Sequence, residues 1–221
     1  GCYLSAMERE AISRWLLEAA PSCKDFRAVV QGLADGLRGA GVPLLRLNVG
    51  VDMLHPEMLS ANYIWNRGDS FVHRTEVPHG VMRTDLYTRS PYKLINEGTV
   101  SVRRRLTGDD AESDFPVLED MRAAGGTDYL VIGLPRSDGR VNRCSYVIDR
   151  PDGFTEAELS DLIALRTELG LIVELFGQAR MTRGLLDLYL GSEAGPRVYQ
   201  GQIRRGEGAT IRSVICIGDL R

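Results

Sequence analysis

The segment DYLVIGLPRSDGRVNRCSYVID, residues 128–149, constrains the fold of this chain more than any other. Two runs rich in β-branched and aromatic residues meet around Ser137, Asp138 and Gly139, which is the pattern of a β-hairpin. A lone hairpin is marginal in water, so it must join further strands and be covered on its apolar side. The rest of the chain supplies both.

Alternating apolar positions at Leu45, Leu47, Val49 and Val51 predict a strand running to Asp52, and two more strands follow over 62–67 and 70–77. TVSVRRRL alternates again at Val100 and Val102. Helical spacing marks 7–19, stopped by Pro21, and 24–39, where Ser22 is the expected N-cap. Residues 84–97 are mixed, with a helix boundary expected at Pro91. FPVLEDMRAAGG carries Pro116 at the start and Gly125-Gly126 after the end of a short helix. The class is therefore α+β, an antiparallel sheet flanked by helices.

A capping box at Thr155 and Glu158 opens the last helix. Beyond it Leu162, Leu165, Leu169, Ile172, Phe176 and Ala179 recur at steps of three and four, the spacing of a coiled-coil seam. A second stripe through Leu159, Ile163 and Val173 widens the apolar surface. The expectation is a long C-terminal dimerisation and linker helix that packs one face on its own sheet and offers the seam to a second copy. The alternative is that both stripes are buried in one monomer. After Gly191 a Gly-, Arg- and Glu-rich connector leads to a terminal strand, SVICIGDLR. The expected division is 1–154, 155–190 and 191–221.

Several function classes are disfavoured. A net charge of −3 gives no footprint for nucleic acid. No stretch reaches the roughly 18 to 20 apolar residues that span a bilayer, and no signal peptide opens the chain, which predicts a cytoplasmic protein without a membrane span. Cys2, Cys23, Cys144 and Cys216 lie far apart, and His55, His73 and His79 are scattered, so no metal site or disulfide framework is expected. No catalytic constellation can be assembled, and the catalytic set is empty.

LLDLYLGSEAGPRVYQGQIRRGEGATIRSVICIGDLR resembles the linker and first catalytic strand of bacterial class III adenylate cyclases. GVPLLRLNVGVDMLHPEM, NYIWNRG, SPYKLI, VRRRL, FPVLEDMRAAGGTDYLVIGL and DRPDGFTEAELSDL resemble the GAF-like region that precedes such domains in proteobacterial proteins. The resemblance implies a GAF-like fold and a regulatory role: a homodimer through the C-terminal helix that controls cyclic AMP synthesis from ATP by an attached catalytic domain. It also implies that Asp219 is a metal ligand and that the complete enzyme uses Mg2+ or Mn2+. Holding two such ions requires carboxylates from converging strands, so residues 1–221 alone are expected to need no cofactor and to be inactive. The stop within a strand pattern reads as a cut.

For a sensor, a pocket is expected between the sheet and its flanking loops. Tyr63 and Trp65 would form an aromatic wall and Arg103 and Arg105 an anion clamp. Thr127, Asp128 and Tyr129 would supply polar anchors for an unidentified small-molecule effector. The competing reading is a ligand-free structural dimerisation module, in which the aromatics are core and the arginines are neutralised by Asp114, Glu119 or Asp120.

Overall fold

The computed structural model describes residues 6–53, 58–108 and 111–202. They divide into two compact units, with the boundary between Gln178 and Ala179. In the first unit, α1 (Ala6–Glu18) and α2 (Phe26–Gly39) precede the strands β1 (Leu44–Asp52), β2 (Met58–Asn66) and β3 (His73–Pro78). Asp25 caps α2 by accepting from the Ala28 N–H. The expected cap, Ser22, instead ends a short 3-10 turn after Pro21. A 3-10 turn (His79–Arg83) and the short helices α3 (Asp85–Thr88) and α4 (Pro91–Asn96) carry the chain to β4 (Ser101–Arg105). Pro91 stands in the first turn of α4, where a missing N–H does no harm. Then follow α5 (Val117–Ala123), the hairpin β5 (Asp128–Pro135) and β6 (Val141–Ile148), α6 (Glu156–Ala164) and α7 (Arg166–Tyr199). The capping box at Thr155 and Glu158 is formed.

The sheet has six strands in the order β3-β2-β1-β6-β5-β4, all pairs antiparallel. Two meanders meet where β1 and β6 pair, so β1 and β6 lie at the centre. A central strand has both faces covered, and side chains alternate between them. Leu47, Val49 and Val51 of β1 join Leu130, Ile132, Cys144 and Tyr146 in the larger core, beneath α1, α2, α6 and the start of α7. The opposite face carries a smaller core, in which Tyr129, Val131 and Val147 pack with Ile95 of α4 and with Leu118 and Met121 of α5.

The C-terminal helix departs from its expected role. Leu162, Leu165, Leu169 and Ile172 are buried in the larger core of the same chain, and Phe176 packs against that core with its ring 5.6 Å from Phe26. Ala179 is half-buried. The seam assigned to a second copy is thus covered by the chain's own helices and sheet, because six strands leave an apolar face that α2 alone cannot cover. The side left outward carries Leu171 and Leu175, one turn apart and about half exposed. This packing also places the first unit's limit at Gln178 rather than at residue 154.

In the second unit, α7 continues to Gly191, whose backbone (φ 81°, ψ 166°) lies in a region that only glycine occupies readily. Residues 192–199, expected as connector, are helical instead. They fold back so that Arg183 lies over the Tyr199 ring at 4.4 Å. Leu185, Leu188, Tyr189 and Leu190 are exposed. Asp219 and the terminal strand lie outside the described residues, as does His55.

Candidate functional site

Of the residues expected to line a site, Arg103, Arg105, Thr127 and Asp128 come together, and they do so at the entry to α6. Asp128 is fully buried and accepts from Arg103 Nη2 at 2.7 Å and from the Phe154 N–H at 2.9 Å. Arg103 also donates to the Phe154 carbonyl at 3.0 Å, and Arg105 donates to the carbonyls of Pro151 and Asp152. Thr127 Oγ1 reaches the carbonyls of Ile148 and Arg150. Gly153 has φ +74° and sits so close to Arg105 and Asp128 that a Cβ there would overlap both. Every polar group named here has a partner within the chain, and the cluster joins the sheet edge to the loop before α6. Asp114 pairs with the middle arginine, Arg104, at 2.8 Å and leaves Arg103 to Asp128.

Tyr63 and Trp65 do share a strand face, but it is the face of the larger core. Tyr63 is edge-on to Phe26 at 4.8 Å, and Arg38 covers the Trp65 ring at 5.7 Å. Tyr129 falls on the opposite face, away from Tyr63, Trp65, Arg103, Arg105 and Asp128.

That opposite face holds the arrangement the sequence reading missed. On β1 the residues alternating with Leu47, Val49 and Val51 are Arg46, Asn48, Gly50 and Asp52. The pairing register sets Arg46, Val147 and Tyr129 in one row across β1, β6 and β5, and Asn48, Ser145 and Val131 in the next. Residues opposite one another in antiparallel strands share a face, so Arg46, Asn48, Ser145 and Tyr129 form one patch. α4 covers it. Asn48 Nδ2 donates to the Tyr92 hydroxyl at 3.0 Å, and Arg143 bridges Asn96 at 3.1 Å and Asp52 at 2.7 Å.

The patch is deeply buried and its hydrogen bonding is incomplete. Asn48 is 5% exposed, Ser145 2% and Tyr129 1%, yet Asn48 Oδ1, Ser145 Oγ and Tyr129 OH make no hydrogen bond of good geometry, although the Ser145 and Tyr92 hydroxyls lie near that of Tyr129. Burial pushes the Tyr129 phenol well above its ordinary pKa, and the nearby Tyr92 hydroxyl adds to this, while Ser145 and Arg46 act in the other direction. Tyr129 therefore stays neutral and can donate. A buried polar atom left unpaired costs about 1–3 kcal/mol, so the patch is kept at some expense of stability. Toward β2 and β3 this side of the sheet is less covered: Asn62 and Ile64 are half-buried and Thr75 is exposed. The available sequence signal was the polar alternation within LLRLNVGVD, four polar or small residues on a strand whose other side is apolar.

Among the described residues no group of three His, Cys, Asp or Glu could hold a metal ion, and no helix is long and apolar enough to cross a membrane. No family model matches the chain, and no curated protein matches it. Solved structures do. The phycoerythrobilin-bound GAF domain of a cyanobacterial phytochrome is 10% identical over 80% of this chain and 100% of its own, with a TM-score of 0.54. The GAF domain of a phosphoenolpyruvate-protein phosphotransferase from Coxiella burnetii is 13% identical over 80% of this chain and 96% of its own, with a TM-score of 0.52. That of a two-component sensor histidine kinase from Bacillus halodurans is 16% identical over 69% and 95%, with a TM-score of 0.50. At these identities the likeness is one of fold: the chain has a GAF-domain fold.

Proposed function

We propose that this chain is the regulatory region of a class III adenylate cyclase, acting in the cytoplasm as a homodimer that biases cyclic AMP synthesis by a catalytic domain beyond Arg221. The observation that carries this reading is the course of α7. The helix begins in the core of the GAF-fold unit at Leu169 and Ile172 and belongs to the second unit from Ala179 onward. After that unit's helices comes the segment that resembles the first cyclase strand. A packing change around the patch under α4 would reach α7 through the shared sheet, and helices that pack in discrete arrangements can act as switches.

Association of two copies is assigned to the outward apolar side chains of α7, Leu171 and Leu175 in the first unit and Leu185, Leu188 and Tyr189 in the second. In the complete enzyme Asp219, with a second carboxylate from the catalytic domain, would bind the Mg2+ or Mn2+ that activates the ribose hydroxyl and neutralises the triphosphate. Residues 1–221 by themselves carry no activity in this reading.

The test is a cyclase assay on the longer protein with and without residues 1–178. Coupling between a regulatory and an output domain is of the order of 1–3 kcal/mol, so removal should change the rate at least about fivefold. An unchanged rate, together with a monomer in sedimentation at high concentration, would overturn the proposal.

A further inference from the structure

The turn between β5 and β6 is bonded to α7 on one side and, through two arginines and Asp52, to α4 on the other. On α7, Gly170, Glu174 and Gly177 recur at steps of four and three and share one face. A Cβ at Gly170 would lie 2.7 Å from the Pro135 carbonyl oxygen and one at Gly177 would lie 3.2 Å from Val51 Cγ1, so the helix backbone rests on the ends of β5 and β1. Between the two glycines, Glu174 accepts from the Ser137 N–H at 2.9 Å and from the Ser137 hydroxyl. These two bonds, with Arg136 close by, hold its carboxyl below the usual range, so it is charged at neutral pH. On the other side Arg136, its side chain almost wholly buried, lies 2.7 Å from Asp138 and 3.8 Å from Asp52. Asp52 is held at 2.7 Å by Arg143, which also donates to Asn96 of α4 at 3.1 Å and lies over the Tyr92 ring of the same helix. Asp52 thus stands between two arginines and holds only one of them closely.

We infer that the β5–β6 turn is a switch that couples α4 to α7 by exchange of arginines at Asp52. The inference rests on the regulatory reading above and names the route by which a change in the sheet domain reaches its output helix. With Arg143 on Asp52, Arg136 stays on Asp138 and the turn holds Glu174. A shift of α4 that draws Arg143 away leaves a partly buried carboxylate without its cation, a cost that Arg136 relieves by closing the 3.8 Å gap. Asp138 tolerates the exchange, because Arg140 also holds it at 2.7 Å. Ser137 lies between Arg136 and Asp138 in the chain, so the move turns its N–H and hydroxyl away from Glu174 and frees that face of α7. The two arrangements differ in which carboxylate takes Arg136, and such a discrete alternative is what a coupling element requires.

The test is hydrogen exchange of the 221-residue chain, read at the α7 amides of residues 171–178 relative to those of α5, which lies on the other side of the sheet. Glu174→Ala removes the hold of the turn, so the α7 amides should exchange roughly tenfold faster. Arg143→Gln should raise the same amides about fivefold, although the substitution lies on neither the turn nor α7. The double variant should exchange no faster than Glu174→Ala alone, because both changes act through one contact. Arg140→Gln, which leaves Arg136 on Asp138, should not move α7. A variant that loosens the whole fold raises α5 by the same factor, and Arg143→Lys, which keeps the charge but not the two-sided bridge, then carries the comparison. An α7-to-α5 ratio unchanged in both Arg143 variants overturns the inference. So does a double variant in which the two factors multiply, or an equal rise in Arg140→Gln. The cyclase assay separates the two proposals. A rate that depends on residues 1–178, with α7 exchange indifferent to Arg143, would sink the switch alone. The expected exchange pattern without such dependence would sink the regulatory reading alone.

Discussion

Asp128 and Tyr129 are neighbours in sequence, both buried in β5, and they live in opposite environments. Asp128 points to the helix-covered side, where Arg103 and the Phe154 N–H satisfy its carboxylate. Tyr129 points under α4, where its hydroxyl has no hydrogen-bond partner. The same contrast holds for the two faces as a whole. On the larger-core side Asp128 and Glu158 are tied down and Arg74 Nε alone is left without a partner among the described residues, whereas the α4 side gathers three such atoms.

The largest effect expected from this comparison is on the satisfied side. Asp128→Ala removes the partner of Arg103 and leaves the Phe154 N–H without an acceptor. Breaking a buried pair in this way costs about 3–5 kcal/mol. A urea titration should show the midpoint fall accordingly, and a loss below about 1 kcal/mol would mean that the cluster is not a structural anchor.

A smaller effect is expected at Glu158, which receives both Arg150 nitrogens at 2.7 and 2.8 Å and the Thr155 N–H at 2.8 Å. Burial alone would raise its pKa, but the hydrogen bonds from Arg150 and Thr155 outweigh it and hold the group below its ordinary 4.5. The sign follows from linkage: the unfolded chain binds the proton more readily, so the contribution is complete above that ordinary value and fades as pH falls through the lower folded one. Glu158→Gln should lose about 2 kcal/mol at neutral pH and flatten the acid limb of the stability profile. An unchanged acid limb would remove Glu158 from the account.

How much of this was legible in the sequence follows from how local each feature is. The hairpin turn at 137–139, the capping box at Thr155 and the proline at the start of α4 depend on a few consecutive residues, and the structure has all three. That Tyr63 and Trp65 share a face was also readable, since strands alternate. Which face was not, because that is decided by β1 on one side, β3 on the other and α2 above. The seam on α6 and α7 shows the same limit. Periodicity reports an apolar stripe but not whether its cover comes from the same chain. Arg103 finds Asp128 at a sequence separation of 25 and Phe154 at 51, so nothing near VRRRL announced those partners. The patch under α4 was hardest to see, since Ser145 and Tyr129 sit inside apolar runs and meet Asn48 only through the β1–β6–β5 register.

The smallest expected effect is the sharpest test of the contrast between faces. Tyr129→Phe removes one oxygen that has no hydrogen-bond partner and keeps the ring packed against Val131 and Val147. Deleting an unpaired buried polar atom removes its desolvation penalty, so the variant should be as stable as the parent or up to about 1 kcal/mol more stable in denaturant titration. The outcome is opposite in sign to that at Asp128, one residue earlier in the same strand. A loss above about 1.5 kcal/mol would show that the hydroxyl does have a partner in solution, a bound water or a retained ligand. The two faces would then differ in what satisfies them rather than in whether they are satisfied. A neutral or stabilising result leaves Tyr129 OH with no role in holding the fold.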